Sequence, residues 1–302
     1  MSWIQRLNHL FSDPAPDFVF EISPAGIAWA EPRQPAKVSF QPLDAGVLRV
    51  NPLHDNILHP EEFTRTVGRL LPPNGGRKQR RAALILPDFC ARITVLDFDT
   101  LPADPHEQEA LIRFRIKKTL PFDVDTAVVS FTAQSRSGNG KKYDVVVAAI
   151  AMEVAARYEA PFRQAGCHPG FVTVSALAAL SLQDEGSAKE TPVLFAKRTD
   201  SVLSLSVLHQ GSLRFFRCLE LESGDSQEIL DIFFPTFAYI QDELATQPQL
   251  IRVCGFPPVS ASPRQNWEEA LDVRLAAVRS RFGSIGPYNA GLYGYLETAE
   301  GA

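Results

Sequence analysis

The feature that most constrains the fold is a strand–turn–strand pattern that occurs near the start of the chain and again after residue 190. Apolar strands alternating with amphipathic helices follow each occurrence. The polar segment QDEGSAKET at 183–191 separates the two halves and is predicted to be a hinge. Two halves built on one plan predict a duplicated α/β fold. The predicted opening strands lie at 18–22 and 26–30 in the first half, and at 192–195, 201–208 and 214–219 in the second.

The remaining pattern supplies the other strands and helices. The best marked helix begins after Asp104, a good N-cap, has Pro105 in its first turn and is predicted to end at Pro121. The segment 267–275 reads either as a helix or as the lead-in to a strand. Further strands are predicted at 37–42, 82–86, 92–98, 127–134, 143–149, 171–174 and 250–254, and further helices at 60–71, 154–166, 226–244 and 285–297.

Composition excludes several classes of protein. The 302 residues include 35 acidic and 30 basic side chains, a net charge of −5 that does not favour nucleic acid as a partner. The four cysteines are far apart and are expected to be reduced core thiols. No run approaches the roughly 20 apolar residues of a membrane span, and no signal peptide is recognisable. We therefore expect the chain to stay inside the cell.

The first 16 residues form a separate feature. Trp3, Leu7, Leu10 and Phe11 share one face of a predicted amphipathic helix, and the prolines of the segment 13–16 end it in a linker. The apolar face predicts either docking on the chain's own first lobe or contact with a membrane surface or partner.

Three segments together resemble a known family. The block LPADPHEQEALIRFRIKKTLPFDVDTAVVSF (101–131), the strand YDVVVAA (143–149) and the closing IGPYNAGLYGYL (285–296) are similar to PilM, the actin-like protein of type IV pilus assembly. The resemblance implies an α/β, actin-like (ribonuclease H-like) fold of two lobes. The first lobe is expected at 17–190, with a small α+β subdomain inserted at about 88–150. The second is expected at 191–302, with its closing helix packed back on the first.

The resemblance also implies a first phosphate loop, which this sequence alters. The family loop reads approximately Asp-Ile-Gly, in which the acid acts through a water on the metal and the following amides hold phosphate. Here Glu21 keeps the charge, Ser23 replaces the glycine, and Pro24 removes an amide donor. Gly26 follows in the same turn.

The two other nucleotide loops are altered as well. In the second loop Phe195 is expected at the position of the acid and Lys197 at that of the glycine, with Thr199 and Asp200 in the following turn. The adenosine loop keeps Gly255 alone, before phenylalanine and two prolines. Because these loops are degenerate, we expect the chain to bind no nucleotide and to hydrolyse no ATP. The alternative is an ATP- and magnesium-binding switch that regulates assembly through lobe closure.

No other catalytic pattern is visible. The six histidines lack the spacing of a metal site, and neither a nucleophile elbow nor a P-loop is present. Asp97 and Asp99 lie on the same face of a predicted strand. We interpret this face as exposed to solvent, in preference to a metal site. No catalytic and no metal-binding residue is predicted.

The expected function follows from the resemblance. PilM-like proteins bind the cytoplasmic N-terminal peptide of the membrane protein PilN, which implies a cytoplasmic scaffold peripheral to the inner membrane. A further copy or a pilus motor ATPase is a possible additional partner, and a filament-forming cytoskeletal role is a third alternative. The expected partner-binding residues are Arg92, Thr94, Leu96, Ile112, Ile116, Leu120, Phe122, Val129 and Phe131.

Overall fold

The computed structural model describes residues 15–71, 79–135, 143–182, 191–256 and 261–300. The predicted N-terminal helix and all but the last residue of the predicted hinge lie outside these ranges. The strands are β1 (Phe18–Ser23), β2 (Gly26–Ala30), β3 (Ser39–Pro42), β4 (Arg80–Leu86), β5 (Arg92–Phe98), β6 (Ala127–Ser135), β7 (Tyr143–Ala151), β8 (Cys167–Val174), β9 (Val193–Thr199), β10 (Val202–His209), β11 (Ser212–Glu220), β12 (Leu250–Cys254) and β13 (Arg274–Ala277). The helices are α1 (Pro60–Leu70), α2 (Pro105–Ile116), α3 (Met152–Gln164), α4 (Ser175–Ala179), α5 (Ser226–Leu244), α6 (Ala261–Leu271) and α7 (Ala290–Glu300).

Two five-stranded sheets have the same topology and form the centres of two lobes. The first has the order β3-β2-β1-β4-β8 and the second the order β11-β10-β9-β12-β13. Each sheet begins with an antiparallel meander of three strands. In the first sheet β4 pairs in parallel with β1 and β8 lies beyond it, and in the second β12 pairs in parallel with β9 and β13 lies beyond it. The last five residues of β4 form an apolar run whose side chains are buried on both faces of the sheet, as is typical of a central parallel strand. The duplicated α/β architecture is confirmed.

The inserted subdomain is a third sheet, β5-β7-β6, covered on one face by α2. Its core joins Ile112 and Ile116 of α2 to three residues of β7, namely Val145, Val147 and Ala149. Helix α2 begins as predicted, because Asp104 caps the amide of His106 at 2.9 Å. It ends at Ile116, five positions before Pro121, where the amides of Thr119 and Leu120 both bond to the carbonyl of Ile116.

The last helix lies on the first lobe although its sequence follows the second. Helix α7 packs against α4 and β1. Two glycines permit the close approach, since a Cβ on Gly294 would lie 2.1 Å from the carbonyl oxygen of Ala178 and one on Gly291 would lie 2.8 Å from Ile85. The helix begins at Ala290 rather than at 285, because residues 286–289 form a turn in which Asn289 accepts a bond from the amide of Gly286.

Two further predictions are resolved by the structure. The ambiguous segment 267–275 contains both alternatives, the end of α6 and the start of β13. Cys90, Cys167 and Cys254 are buried free thiols, and Cys218 is a half-buried one.

None of the helices in the described ranges is both long and apolar enough to cross a membrane.

Candidate functional site

The two hairpin turns of the duplicated halves face one another across a cleft between the lobes. The cleft has a volume of about 280 Å³. Five of the seven residues predicted for the nucleotide loops line it, namely Glu21, Ser23, Lys197, Thr199 and Asp200. The other two, Gly26 and Gly255, are not among the residues that line it.

In the turn between β1 and β2, polar groups form hydrogen bonds with one another. The hydroxyl of Ser23 donates to the carbonyl of Gly26 at 2.9 Å and accepts from the amide of Gly26 at 3.2 Å. Pro24 has no amide to offer. A phosphate loop needs free backbone amides that converge on one point. The turn between β1 and β2 therefore has two positions, 24 and 26, that offer no free amide to a phosphate group.

The two glycines of the predicted loops are explained by packing. A Cβ on Gly26 would lie 2.4 Å from the carbonyl oxygen of Gln41, so its absence lets β3 pair closely with β2. Gly255 has φ +71°, and a Cβ there would lie 2.1 Å from the carbonyl oxygen of Arg198. The turn after β9 therefore fills the space next to Gly255, where the resemblance placed an adenosine.

Glu21 is buried and has both carboxylate oxygens occupied. One accepts a bond from the hydroxyl of Ser175 at the start of α4, and the other accepts from the amide of Leu292 in α7 at 2.7 Å. Burial raises the pKa of Glu21, and the nearby ammonium of Lys197 opposes that rise. Glu21 thus connects β1 to α4 and α7 through hydrogen bonds.

Lys197 occupies a position that sequence reasoning assigned to a glycine. Ser23 pairs with Gly26 across the first hairpin turn and Thr199 pairs with Val202 across the second. Ser23 and Thr199 are therefore equivalent, and Glu21 and Lys197, each two residues earlier, are equivalent as well. Phe195, expected at the acid's position, lies two residues further back and is buried in the core. The second loop has therefore exchanged an acid for a lysine.

Lys197 forms an ion pair with Asp88, a residue that the sequence analysis missed. The ammonium lies 2.9 Å from the Oδ2 atom of Asp88, and both side chains are 2% exposed. Burial lowers the pKa of Lys197, but the carboxylates of Asp88 and Glu21 more than offset this, so the pKa is raised overall. The signal for Asp88 was its place directly after the apolar strand β4, because functional side chains gather at the carboxyl ends of parallel strands.

The turn after β9 is tied down on its other side by the segment before α7. Thr199 donates to the carbonyl of Pro287 at 3.2 Å, and Asp200 accepts from the hydroxyl of Tyr288. Arg198 turns away from the cleft and donates to the carbonyl of Gly224 at 2.7 Å. The side chain of Lys197, in contrast, is buried in the ion pair with Asp88.

The charges around the cleft do not suit a magnesium nucleotide. Four acidic side chains and two basic ones line it. One of the basic residues, Lys197, is already neutralised by Asp88. No group of three or more metal-ligating side chains occurs within the ranges that the structure describes. A triphosphate would meet a net negative cleft in which Pro24 has no amide and the amide of Gly26 is bonded to Ser23, so the residues present do not fit the cofactor that the fold implies.

A second concave site lies between the inserted subdomain and the first lobe. This groove has a volume of about 350 Å³ and is lined by β6, β7, β8, α3 and α4. It is mostly apolar, and its rims carry Val128 and Val172, which are 48% and 37% exposed. In the described chain no strand pairs with the outer edge of β6 or of β8, since each is the last strand of its sheet.

The nine predicted partner-binding residues are not brought together in this groove. Phe131 is the member of the set that lines it. Ile112 and Ile116 are buried beneath the sheet of the subdomain, and Leu96, Leu120, Phe122 and Val129 pack around them. Arg92 and Thr94 lie on β5, at the opposite edge of that sheet. Most of the set thus lies on the face of the sheet that α2 covers, whereas the groove lies on the other face, and the assignment of these residues to partner binding stays a prediction.

Comparison with known proteins identifies the fold. No protein-family model matches the sequence, and no curated protein is similar to it. Among solved structures, the PilM–PilN type IV pilus biogenesis complex matches with a TM-score of 0.73 and 16% identity, over 94% of this chain and 98% of that one. A Bacteroides thetaiotaomicron protein with an actin-like ATPase fold and unknown function matches with a TM-score of 0.52 and 10% identity, over 92% of this chain and 94% of that one.

A third structure is the cytoplasmic domain of EpsL, an inner membrane component of the type II secretion system of Vibrio cholerae. It has a TM-score of 0.49 and 11% identity, over 94% of both chains. The expected likeness in fold is confirmed by the first two structures. The chain has the two-lobe actin-like α/β fold, in a form similar to that of PilM in its complex with PilN.

Proposed function

We propose that the chain is a scaffold of a type IV pilus or related assembly machine that binds the cytoplasmic N-terminal peptide of a PilN-like inner-membrane protein. In this proposal it binds the peptide without nucleotide and hydrolyses none. The fold similarity to the PilM–PilN complex motivates the choice of partner. The observation that carries the proposal is the apolar groove between the inserted subdomain and β8.

The groove suits an extended peptide for two reasons. It offers the outer edges of β6 and β8, each the last described strand of its sheet, where an added strand would extend the sheet. Its lining of Val128, Ala148, Val172 and Leu177 would receive apolar side chains that alternate along such a strand. Together these features favour strand addition over the binding of a folded surface.

Nucleotide independence rests on the contacts inside the cleft. Ser23 occupies the amide of Gly26, and Lys197 is paired with Asp88. A cleft whose polar groups are satisfied by the protein gains little from a phosphate ligand, because each new bond would replace an existing one.

The proposed location follows from the proposed partner. The N-terminal peptide of a PilN-like protein lies in the cytoplasm and leads into the inner membrane, so a protein that binds it lies at the cytoplasmic face of that membrane. The association would be peripheral and would depend on the peptide.

Titration of a fluorescent peptide tests this function. The peptide is the N-terminal cytoplasmic segment of a PilN-like protein from the same organism, and the protein is freed of nucleotide beforehand. We expect a saturable change in fluorescence anisotropy with the same dissociation constant in the presence and absence of Mg-ATP. The absence of saturable binding would contradict the proposed partner, and binding that needs Mg-ATP would favour the switch.

A pair of variants assigns the binding to the groove. Val172→Asp places a carboxylate on the groove rim and is expected to weaken binding about tenfold or more, because the peptide would desolvate that charge. Leu58→Asp is the matched control, since Leu58 is 50% exposed and lies outside the groove. Equal effects of the two substitutions would show that the peptide binds elsewhere.

A further inference from the structure

The ion pair in the cleft joins two separate halves of the molecule. Asp88 follows β4 in the first lobe, whereas Lys197 belongs to β9 in the second. Their side chains meet at 2.9 Å, and solvent reaches 2% of each. An ion pair this deeply buried persists only where both charges are well compensated.

The carboxylate of Asp88 receives bonds from both lobes. Its Oδ1 atom accepts from the amide of Ala176 at 2.6 Å, within the first lobe. Its Oδ2 atom accepts from Lys197 and, at 3.1 Å, from the hydroxyl of Ser204 on β10, both in the second lobe. Asp88 is thus fixed by its own lobe and presents one oxygen to the other.

The ammonium of Lys197 is compensated in the same way. It also donates to the hydroxyl of Thr199 at 2.8 Å, and Thr199 donates onward to the carbonyl of Pro287 at 3.2 Å. Glu21 adds a second carboxylate whose charge acts on the same ammonium. Separating the lobes would withdraw from both carboxylates of the first lobe the ammonium that compensates them.

We propose that Lys197 serves as a built-in cation that locks the two lobes in a closed arrangement without any ligand. The lysine stands where the duplicated half would otherwise place a second acid, as the register of the hairpins shows. Two facing acids would need a bound cation between them, whereas an acid facing a lysine needs none. The lock extends the nucleotide-independent part of the proposed function, and its test involves no peptide, so either can fail alone.

The first test measures thermal stability. Lys197→Met removes the charge and keeps most of the side-chain volume, which leaves Asp88 buried without its partner. We expect Tm to fall by roughly 5 to 15 °C. Lys37→Met is the control, because Lys37 is exposed. A Tm unchanged in Lys197→Met would overturn the lock.

The second test measures the distance between the lobes. Spin labels are introduced as an unnatural amino acid at Leu53 and Glu222, which are exposed and lie two residues from cleft-lining residues of opposite lobes. The double variant Lys197→Met/Asp88→Asn removes both charges of the pair, leaves Glu21 its bonds to Ser175 and Leu292, and keeps an acceptor for Ala176, so it is expected to fold. We expect one narrow distance in the natural protein and a broader, longer distribution in the double variant.

Two results of the distance measurement would contradict the lock. A double variant with the narrow distance of the natural protein would show that the pair stabilises the fold without holding the lobes. A natural protein with a broad distribution that narrows on addition of Mg-ATP would show that a ligand, and not Lys197, closes the cleft.

Discussion

At the scale of single residues, the identity of the side chain at two equivalent positions decides what the cleft can do. Glu21 and Lys197 hold the same place in the two hairpins and carry opposite charges. Both are buried, and Asp88 lies beside the lysine. In the proposed lock, the ammonium of Lys197 supplies the positive charge that a cleft with acids at both positions would have to take from a bound cation.

A prediction at this scale concerns Gly255. Gly255→Ala is expected to lower the free energy of unfolding by roughly 2 kcal/mol or more, because φ is +71° and the new Cβ would lie 2.1 Å from the carbonyl oxygen of Arg198. Gly46→Ala is the matched control, since Gly46 has φ +88° with no atom within 4 Å of its Cβ position. Urea denaturation compares the two. Equal losses would show that backbone strain alone, and not the close approach of the turn, requires the glycine.

At the scale of elements, the segment before α7 closes the cleft over the second turn. Thr199 and Asp200 at the end of β9 bond to Pro287 and Tyr288 in that segment. The ring of Tyr288 also stacks on Phe40 of β3, with centroids 5.9 Å apart. One short segment therefore contacts both lobes at the mouth of the cleft.

The bond between Tyr288 and Asp200 gives a pH prediction. It raises the pKa of Tyr288 from 10.0 to about 12. A group with a raised pKa in the folded state stabilises the fold fully below its ordinary pKa and loses this effect as pH rises through the folded value. The contribution of Tyr288 is thus complete below about pH 10 and disappears as pH passes about 12.

Carbon-13 NMR of ring-labelled tyrosine measures this titration, with Tyr288→Phe to assign the signal. We expect Asp200→Asn to move the pKa of Tyr288 back toward 10.0. Asp44→Asn, which changes an exposed acid elsewhere, is expected to leave it unchanged. An unaltered Tyr288 signal in Asp200→Asn would mean that the tyrosine does not hold this turn.

Local patterns predicted most elements because their signals are local. Capping by Asp104 and the apolar runs of β4 and β9 depend on neighbours along the chain. The end of α2 was missed because the bonds to the carbonyl of Ile116 form only when the chain turns at Thr119. Asp88 and Lys197 were missed as a pair because they lie 109 residues apart, and only the fold brings them together.

At the scale of the whole molecule, the lobes are joined at several places within the described part of the chain. The ion pair in the cleft is one, and the packing of α7 on the first lobe is another. A third joins the inserted subdomain to the second lobe, where Gln134 exchanges two hydrogen bonds with the backbone of Leu213 and Asp144 pairs with Arg214 at 2.7 Å. The peptide groove lies between the first lobe and this anchored subdomain, so a fixed lobe arrangement would keep it preformed. This arrangement favours a scaffold over a switch that works by lobe closure.

The most direct test of the account is isothermal titration of Mg-ATP into the natural protein, freed of bound nucleotide. The account predicts no saturable heat, because the amide of Gly26, Lys197 and Glu21 are already bonded within the protein. A micromolar dissociation constant that depends on magnesium would contradict it, since such binding requires the free amides and the cation site that these contacts exclude.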